Sequence, residues 1–520
     1  MKFKVKQIVT ILVVIFLIQS LVSCGGPSAI SNETTTVGTT AAAADSAQTT
    51  TISSTTQTQP AEELKNVTLK IYALGGEGGP YAQQVIDEIN NYLLETINAT
   101  IDPAVISWGD WQTKYPAIFA SGEAYDLIYA SEWCYFKTEA PKGAFMALND
   151  LLPVYAPQTL DSIPQAAWDE ATINGKIYLF PTALKEYTTH FALIREDLRK
   201  KYDVPEIKSL ADIGIYMEAI KQNEPDMVPS QGINTYLFLY ENDWGRPLSN
   251  DSGDVTYKLS EPDKFFSMVD TPEYEAYVRM KYEWAQNGYW VRNILSVDTD
   301  ATQEFQAGNI AVITPNLPNC NSVYRYLENA NSDFEIMAYD IEGDTKVERS
   351  SFIGNGMAVN RNSPNPERAV MLMELVHQDQ TLHDLINLGI EGVTYAITDD
   401  GMITIPEGAD PAQLSLLNLG MGMQDQNLRR PRLGDWDIVD NYEALFDDIA
   451  IVNPNCTYIF DREPVNAELA AIVNVCEQYK TPLEAGVVDP DEGLPILREQ
   501  LKKSGIDKVL AEFERQRTMK

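Results

Sequence analysis

Apolar and polar positions alternate from Val67 to Leu74 with the two-residue period of a strand that buries one face. The run Gly75-Gly76-Glu77-Gly78-Gly79-Pro80 then turns into a predicted helix over 81–98, where Val85, Ile86, Ile89, Leu93 and Ile97 recur at helical spacing. A strand over 100–107, a helix around Tyr115, Ile118 and Phe119, and a buried strand over 124–130 (AYDLIYA) follow. Strand–helix–strand–helix–strand is the rhythm of a parallel sheet covered on both faces. The glycine run lacks GxGxxG spacing and no acidic residue ends the second strand, which argues against dinucleotide binding. Downstream, Ser209 opens an amphipathic helix carrying Leu210, Ile213, Met217 and Ile220. Thr271-Pro272-Glu273 is a helix start with a hydroxyl cap and a proline at the first position, and Asn287-Gly288 is its stop. Strands are expected over 334–340 and 352–360, and Asn365-Pro366-Glu367 is expected to cap a helix through His377.

The stretch 172–198 stands apart from this rhythm. A tight turn at Asn174-Gly175 leads to a short apolar strand over 177–180, which Pro181 closes because it has no N–H for a ladder. A polar patch (Lys185, Glu186, Tyr187, Thr188, Thr189) separates it from a second apolar run, 191–194, and a charged helix start at Arg195-Glu196-Asp197. Such a pattern suits a chain leaving one lobe and entering another.

Here the sequence resembles the extracellular solute-binding proteins that feed ABC importers, in particular their sugar-binding branch. Gly175, Lys176, Tyr178, Pro181, Arg195, Asp197 and Leu198 match that family's first hinge crossing. Residues 305–316 (FQAGNIAVITPN) resemble its return segment, and Gly389-Ile390-Glu391-Gly392 with Tyr395 resembles its closing element. The likeness spans about 64–395, and the region after Pro431 resembles the C-terminal extension of one lipoprotein subgroup. It implies an α/β, two-lobed, periplasmic-binding-protein-like fold of type II, each lobe a mostly parallel sheet flanked by helices. The expected partition is 64–184 and 332–378 for the N-terminal lobe, and 185–331 and 379–520 for the C-terminal lobe with its extension. The implied activity is capture of a carbohydrate, an oligosaccharide in the first instance, for delivery to ABC permease subunits by a monomeric receptor. No cofactor is implied.

The N-terminus sets the compartment. Lys2, Lys4 and Lys6 precede an apolar run over 8–18, then Leu21-Val22-Ser23-Cys24-Gly25-Gly26, which resembles a bacterial lipoprotein signal. That implies removal of residues 1–23, acylation of Cys24, and lipid anchoring at the extracytoplasmic face of the cell membrane. Residues 24–63 are rich in Ser, Thr, Ala and Gln and almost free of large apolar side chains, the composition of a disordered tether.

Composition narrows the partners. The 520 residues carry a formal charge of −36, and loss of Lys2, Lys4 and Lys6 makes the mature chain more negative still. Such a field repels phosphate backbones and anionic headgroups, so nucleic acid and direct membrane-surface binding are poor matches. Cys134, Cys320, Cys456 and Cys476 are available for one or two disulfides in an exported chain. His190, His377 and His383 are too scattered for a metal site.

Sugars are held by flat rings against their C–H faces and by planar polar groups on their hydroxyls, which makes the tryptophans informative. Trp108 and Trp111 follow the second strand, Trp133 with Glu132 follows the third, and strand ends of a parallel sheet face a ligand crevice. Trp244 and Trp436 lie in polar loops further on, and complete the aromatic candidates. Trp168 and Trp284 read as core, and Trp290 reads either way. Glu186, Tyr187 and Asn355 sit on expected hinge crossings, which floor the cleft. Asp110 and Glu132 are available to accept hydroxyls or to face solvent.

Other classes have little support. With 75 acidic residues, carboxylate pairs for glycoside hydrolysis can be drawn anywhere, so their presence carries no weight. No Gly-x-Ser-x-Gly elbow, His-Glu-x-x-His or P-loop occurs. A peptide or other small-solute receptor is the nearer alternative, and a surface glycan-degrading enzyme a more distant one.

Overall fold

The computed structural model describes residues 64–182, 184, 187, 189–245, 254–291, 293–297, 299–330, 332–341 and 347–518. Cys24, the signal segment and the tether lie outside the described residues, as does Glu186. The described residues belong to one compact unit, and within it two sheets carry separate cores.

The chain first lays down β1 (Val67–Leu74), β2 (Ala99–Ile106), β3 (Leu127–Tyr129) and β4 (Phe180–Pro181). It then crosses to build β5 (Ala192–Arg195), β6 (Val228–Ser230), β7 (Ile310–Ile313) and β8 (Ile336–Tyr339), and returns with β9 (Gly356–Val359). The first sheet has the order β2-β1-β3-β9-β4 and the second β8-β5-β7-β6. β1 is parallel to β2, with Val67 opposite Ala99, and parallel to β3, with Ile71 opposite Leu127. β9 runs antiparallel to both β3 and β4, and β5 antiparallel to both β7 and β8. In each sheet every strand but one runs the same way, as expected of a mostly parallel sheet, the reversed strands being β9 in the first and β5 in the second. Strands fed by helices end at the cleft edge, whereas β5 and β9 enter from the hinge, start at that edge and run away from it.

The helix between β1 and β2, α1 (Ala82–Ile97), buries the five residues of its predicted apolar stripe against the first sheet. α2 (Trp111–Ser121) seats Tyr115, whose hydroxyl donates to the Tyr129 carbonyl at 2.9 Å. In the second lobe α3 (Leu210–Asn223) and α4 (Pro272–Gln286) start as expected, with Ser209 and Thr271 accepting from the Asp212 and Tyr274 N–H groups. Along β5 the side chains alternate, Ala192 and Ile194 facing one core and Leu193 the other. α5 (Leu317–Asn329) opens on Asn316, whose side chain accepts from the Asn319 N–H. α6 (Pro366–Gln378) opens at Asn365, but without the expected side-chain cap: the Asn365 amide donates to Asp126 instead, at 3.3 Å.

Several expectations shift. The strand expected over 177–180 is split. Lys176–Ile177 pairs with Thr172–Ile173 across the Asn174-Gly175 turn, and Pro181 lies within β4, tolerated there because β4 is an edge strand. The partition at 332 and 378 moves as well. β8 belongs to the second sheet through its ladder to β5. α7 (Gln380–Asn387) buries Leu382 and Ile386 in the first core, joined by Leu419 and Met423. Backbone pairing and side-chain packing, not chain proximity, decide both assignments. Beyond Arg432 the chain returns to the second lobe: α8 (Asp437–Ile449) packs Val439 and Phe446 there, and α9 (Pro490–Lys503) and α10 (Ile506–Thr518) bury Leu494, Leu497, Leu501, Val509 and Phe513 in its core. The C-terminal region is thus part of the second lobe. Cys134, Cys320, Cys456 and Cys476 are free thiols, so the disulfides considered possible from the sequence are absent among them.

Candidate functional site

A cavity of about 1060 Å³ lies between the lobes, at the edge where β1, β2, β3 and β7 end. The first lobe contributes Trp133, Asn355, Asn387 and Asn418, and the second contributes Asn316 and Asn319 at the start of α5 and Glu443 on α8. Amide and hydroxyl side chains share the polar lining, and both can donate to and accept from the same solute.

Trp133 follows β3 and is held from three sides. Its indole N–H donates to the Gly354 carbonyl at 2.8 Å. Trp108 stacks on it at 6.1 Å and 24°, and Trp111 meets it edge-on at 5.7 Å and 87°. Trp108 is 52% exposed, and Trp111, the first residue of α2, is partly buried. The three rings predicted at the first-lobe strand ends therefore form one assembly, with Trp133 as its cavity face. Glu132 next to it faces Lys137 at 3.9 Å and is anchored by its own N–H to the Ile353 carbonyl at 3.0 Å. Asp110 lies on the surface, paired with Lys114 at 3.0 Å.

Asn355 lines the cavity just before β9, and Tyr129 donates to its side-chain oxygen at 2.7 Å, which orients the amide. Tyr187 bridges to Arg349, so the outgoing and returning hinge segments pair with each other. Its ring packs on Phe446 at 5.3 Å, and its hydroxyl donates to Asp447 at 2.6 Å; burial and that carboxylate raise its pKa. Tyr187 lines the cavity by its ring while its hydroxyl is engaged elsewhere.

Of the five predicted tryptophans Trp133 alone lines the cavity; Trp108 and Trp111 pack on it, Glu132 is not in the lining either, and Trp244 and Trp436 pack elsewhere. Trp244 is 2% exposed, wedged edge-on against Phe238 and Phe266 at 5.1 Å each, because the loop that carries it folds back onto the antiparallel pair Val255–Lys258 and Glu261–Ser267. Trp436 stacks flat on Tyr324 at 4.9 Å and 3° and is the residue preceding α8. Trp168, Trp284 and Trp290 are all buried.

Sequence reasoning missed the loop between α7 and α8. Its residues Ser415, Leu416, Leu417 and Asn418 line the cavity, held against the glycine turn after β1. Gly79 donates its N–H to the Ser415 carbonyl at 2.7 Å, and the Asn418 amide donates to the Leu74 carbonyl at 2.8 Å. Gly78 has φ +79°, and a Cβ there would stand 2.7 Å from the Leu417 nitrogen. The glycine run thus serves the close approach of another loop. Further on, Arg429 and Arg432 also line the cavity. The cluster Arg429-Arg430-Pro431-Arg432, in so acidic a chain, was the signal available in the sequence.

Comparison with known proteins follows this geometry. The family described as Bacterial extracellular solute-binding protein matches residues 84–404, and the Domain of unknown function (DUF3502) matches 454–518. A Carbohydrate ABC transporter substrate-binding protein of Streptococcus pneumoniae serotype 4 is 24% identical over 474 residues, covering 86% of this chain and 90% of that protein. The N-glycan transport solute binding protein NgtS of Streptococcus pneumoniae, in complex with Man1GlcNAc, has a TM-score of 0.71 at 22% identity, covering 87% of this chain and 99% of its own. The alginate-binding protein AlgQ2 has a TM-score of 0.65 at 18% identity, covering 87% and 98%. These superpositions show a shared two-lobed fold.

Proposed function

The chain belongs to the bacterial extracellular solute-binding protein family, and on that premise we propose that it captures an oligosaccharide between its lobes and hands it to an ABC permease. The observation that carries this reading is the interlobe cavity, with the indole assembly on Trp133 at one wall and asparagine amides around it. Its volume suits several sugar rings, the indole suits a pyranose C–H face, and amides suit paired hydroxyls. The carbohydrate-transport relative and the glycan-bound NgtS support the same ligand class.

Trp133, Tyr187 and Asn355 are the proposed contacts from the predicted set, with Trp108 and Trp111 backing Trp133, and Asn316 and Asn418 added by the fold. Ligand touching both lobes stabilises the closed arrangement by its differential contacts, with the paired segments around Tyr187 and Arg349 as the hinge. Cys24 carries the lipid anchor and residues 24–63 the reach from the membrane. Calorimetric titration of the mature chain with a panel of oligosaccharides tests the reading. Saturable binding without release of shorter sugars is the expected result, and turnover of the bound glycan would replace the receptor with an enzyme.

A further inference from the structure

The cavity gathers positive charge inside a protein whose net charge is −36. Arg325 on α5, Arg429 and Arg432 all line it. Arg325 is neutralised: its guanidinium stands 2.5 Å from Asp435, which also accepts from the Asn321 amide at 3.1 Å. Arg429 and Arg432 have no carboxylate within ion-pair distance among the described residues. Their positions are nevertheless set by the backbone and by the residue between them. Arg430 reaches away from the cavity to Asp384 on α7 at 2.8 Å. The Ile403 N–H donates to the Pro431 carbonyl, and the Leu433 N–H to the Ile403 carbonyl, both at 2.8 Å, which clamps Arg432 from both sides.

The electrostatics around this pair are unbalanced. Burial, then repulsion from Arg325 and Arg429, holds the Arg432 guanidinium below its usual range, with Asp435 opposing. A guanidinium keeps its proton at ordinary pH, so the cavity wall presents a lasting positive charge to which an added negative group can bind. Glu443, the other charged residue lining the cavity, is pushed up by burial and by Asp440, Asp447 and Asp435, while Arg429 pulls it down. Arg432 is partly buried and Arg429 exposed at the cavity wall, and neither has an ion-pair partner among the described residues, so a ligand oxygen anion can reach both. The planar fork of arginine matches carboxylate and sulfate geometry with two parallel hydrogen bonds.

We infer that the captured glycan bears an acidic substituent, a carboxylate or a sulfate ester, seated on Arg429 and Arg432 while the amides and Trp133 take its neutral rings. This deepens the carbohydrate reading and rests on it. The amide-rich first-lobe wall handles hydroxyls common to all sugars; the arginine pair selects among them.

The test is calorimetric titration of the mature chain with three oligosaccharide sets of matched length: neutral, uronate-containing and O-sulfated. Arg429→Gln, Arg432→Gln and Arg432→Lys are compared with wild type, and Lys264→Gln, a surface residue paired with Glu261, controls for loss of one positive charge. The expected result is preference for one acidic set by about tenfold or more over the neutral set. Arg429→Gln and Arg432→Gln should each remove most of that preference, read as the ratio of acidic to neutral affinity within each variant, and Arg432→Lys should retain part of it. Uronate and sulfate arms identify which anion is seated. Equal affinity for neutral and acidic sets, or a preference unchanged by the substitutions, overturns the acidic-substituent proposal and leaves the carbohydrate reading standing. Failure of every set to bind, with the fold intact by melting temperature, defeats the carbohydrate reading and this proposal with it.

Discussion

The indole N–H of Trp133 donates to the carbonyl of Gly354 at 2.8 Å, joining the end of β3 to the segment that returns from the hinge. On the proposed reading, a ring of the sugar platform is thereby fixed to the segment that would bend as the lobes close. Trp133→Ala removes the platform and the tie together, and should weaken binding of the cognate glycan by about tenfold or more with the fold retained. Trp133→Phe keeps an aromatic face but leaves the Gly354 carbonyl without that donor, and should fall between wild type and alanine. Calorimetry on the three proteins checks the order, and an unchanged affinity for Trp133→Ala would remove this residue from the site.

Trp244 should behave in the opposite way. At 2% exposure between Phe238 and Phe266, its truncation to alanine opens a large cavity in the second core. The expected cost is about 3–5 kcal/mol of stability, read by denaturant unfolding, with ligand affinity of the folded fraction unchanged.

Gly78 ties the glycine turn to a cavity wall that sequence reasoning missed. Its φ of +79° disfavours any side chain, and an added Cβ would stand 2.7 Å from the Leu417 nitrogen, a backbone atom with no rotamer to yield. Gly78→Ala should lower stability by about 1–3 kcal/mol. It should also weaken ligand binding, because residues 415–418 must move outward. Melting temperature and calorimetric affinity falling together is the expected pattern, and a stability loss alone would detach this loop from the site.

Acid should loosen the arginine-bearing loop before the rest of the fold. Burial raises the Asp384 carboxyl, but His383, Arg430 and Gln380 outweigh it and hold it below the usual range. Asp425 is likewise lowered against burial, by His377, which donates to it at 3.0 Å, and by Asn427. A carboxyl depressed in the folded state adds stability above its unfolded value near 3.8, and that contribution is lost as pH falls through the lower folded value. Hydrogen exchange of residues 424–433 should therefore accelerate below about pH 4. The acceleration should be reduced in Asp384→Asn, which has no carboxylate left to protonate at that position.

Much of the fold is visible in local pattern. The stripe on α1 and the caps of α3 and α4 stand where spacing and cap chemistry put them, because each depends on residues within a few positions of one another. Trp133 was legible for a related reason: a tryptophan directly after a buried strand has few places to go but the strand-end crevice. Trp244 was read from a different signal, its polar loop, and only the fold-back of that loop onto a neighbouring hairpin buries it. Asn365 has the sequence of a cap, yet a nearby buried carboxylate, Asp126, draws its amide away.

The sequence by itself determined the elements, their order and the crossing near Pro181, since hydrophobic period and turn chemistry act over a handful of residues. The tertiary structure alone decided which lobe owns β8 and α7, why four glycines surround Glu77, and that Arg429 and Arg432 stand at a cavity wall without an ion-pair partner among the described residues. Those outcomes depend on contacts between segments hundreds of residues apart, whose free energy is set by packing and charge in three dimensions and leaves no period in the chain.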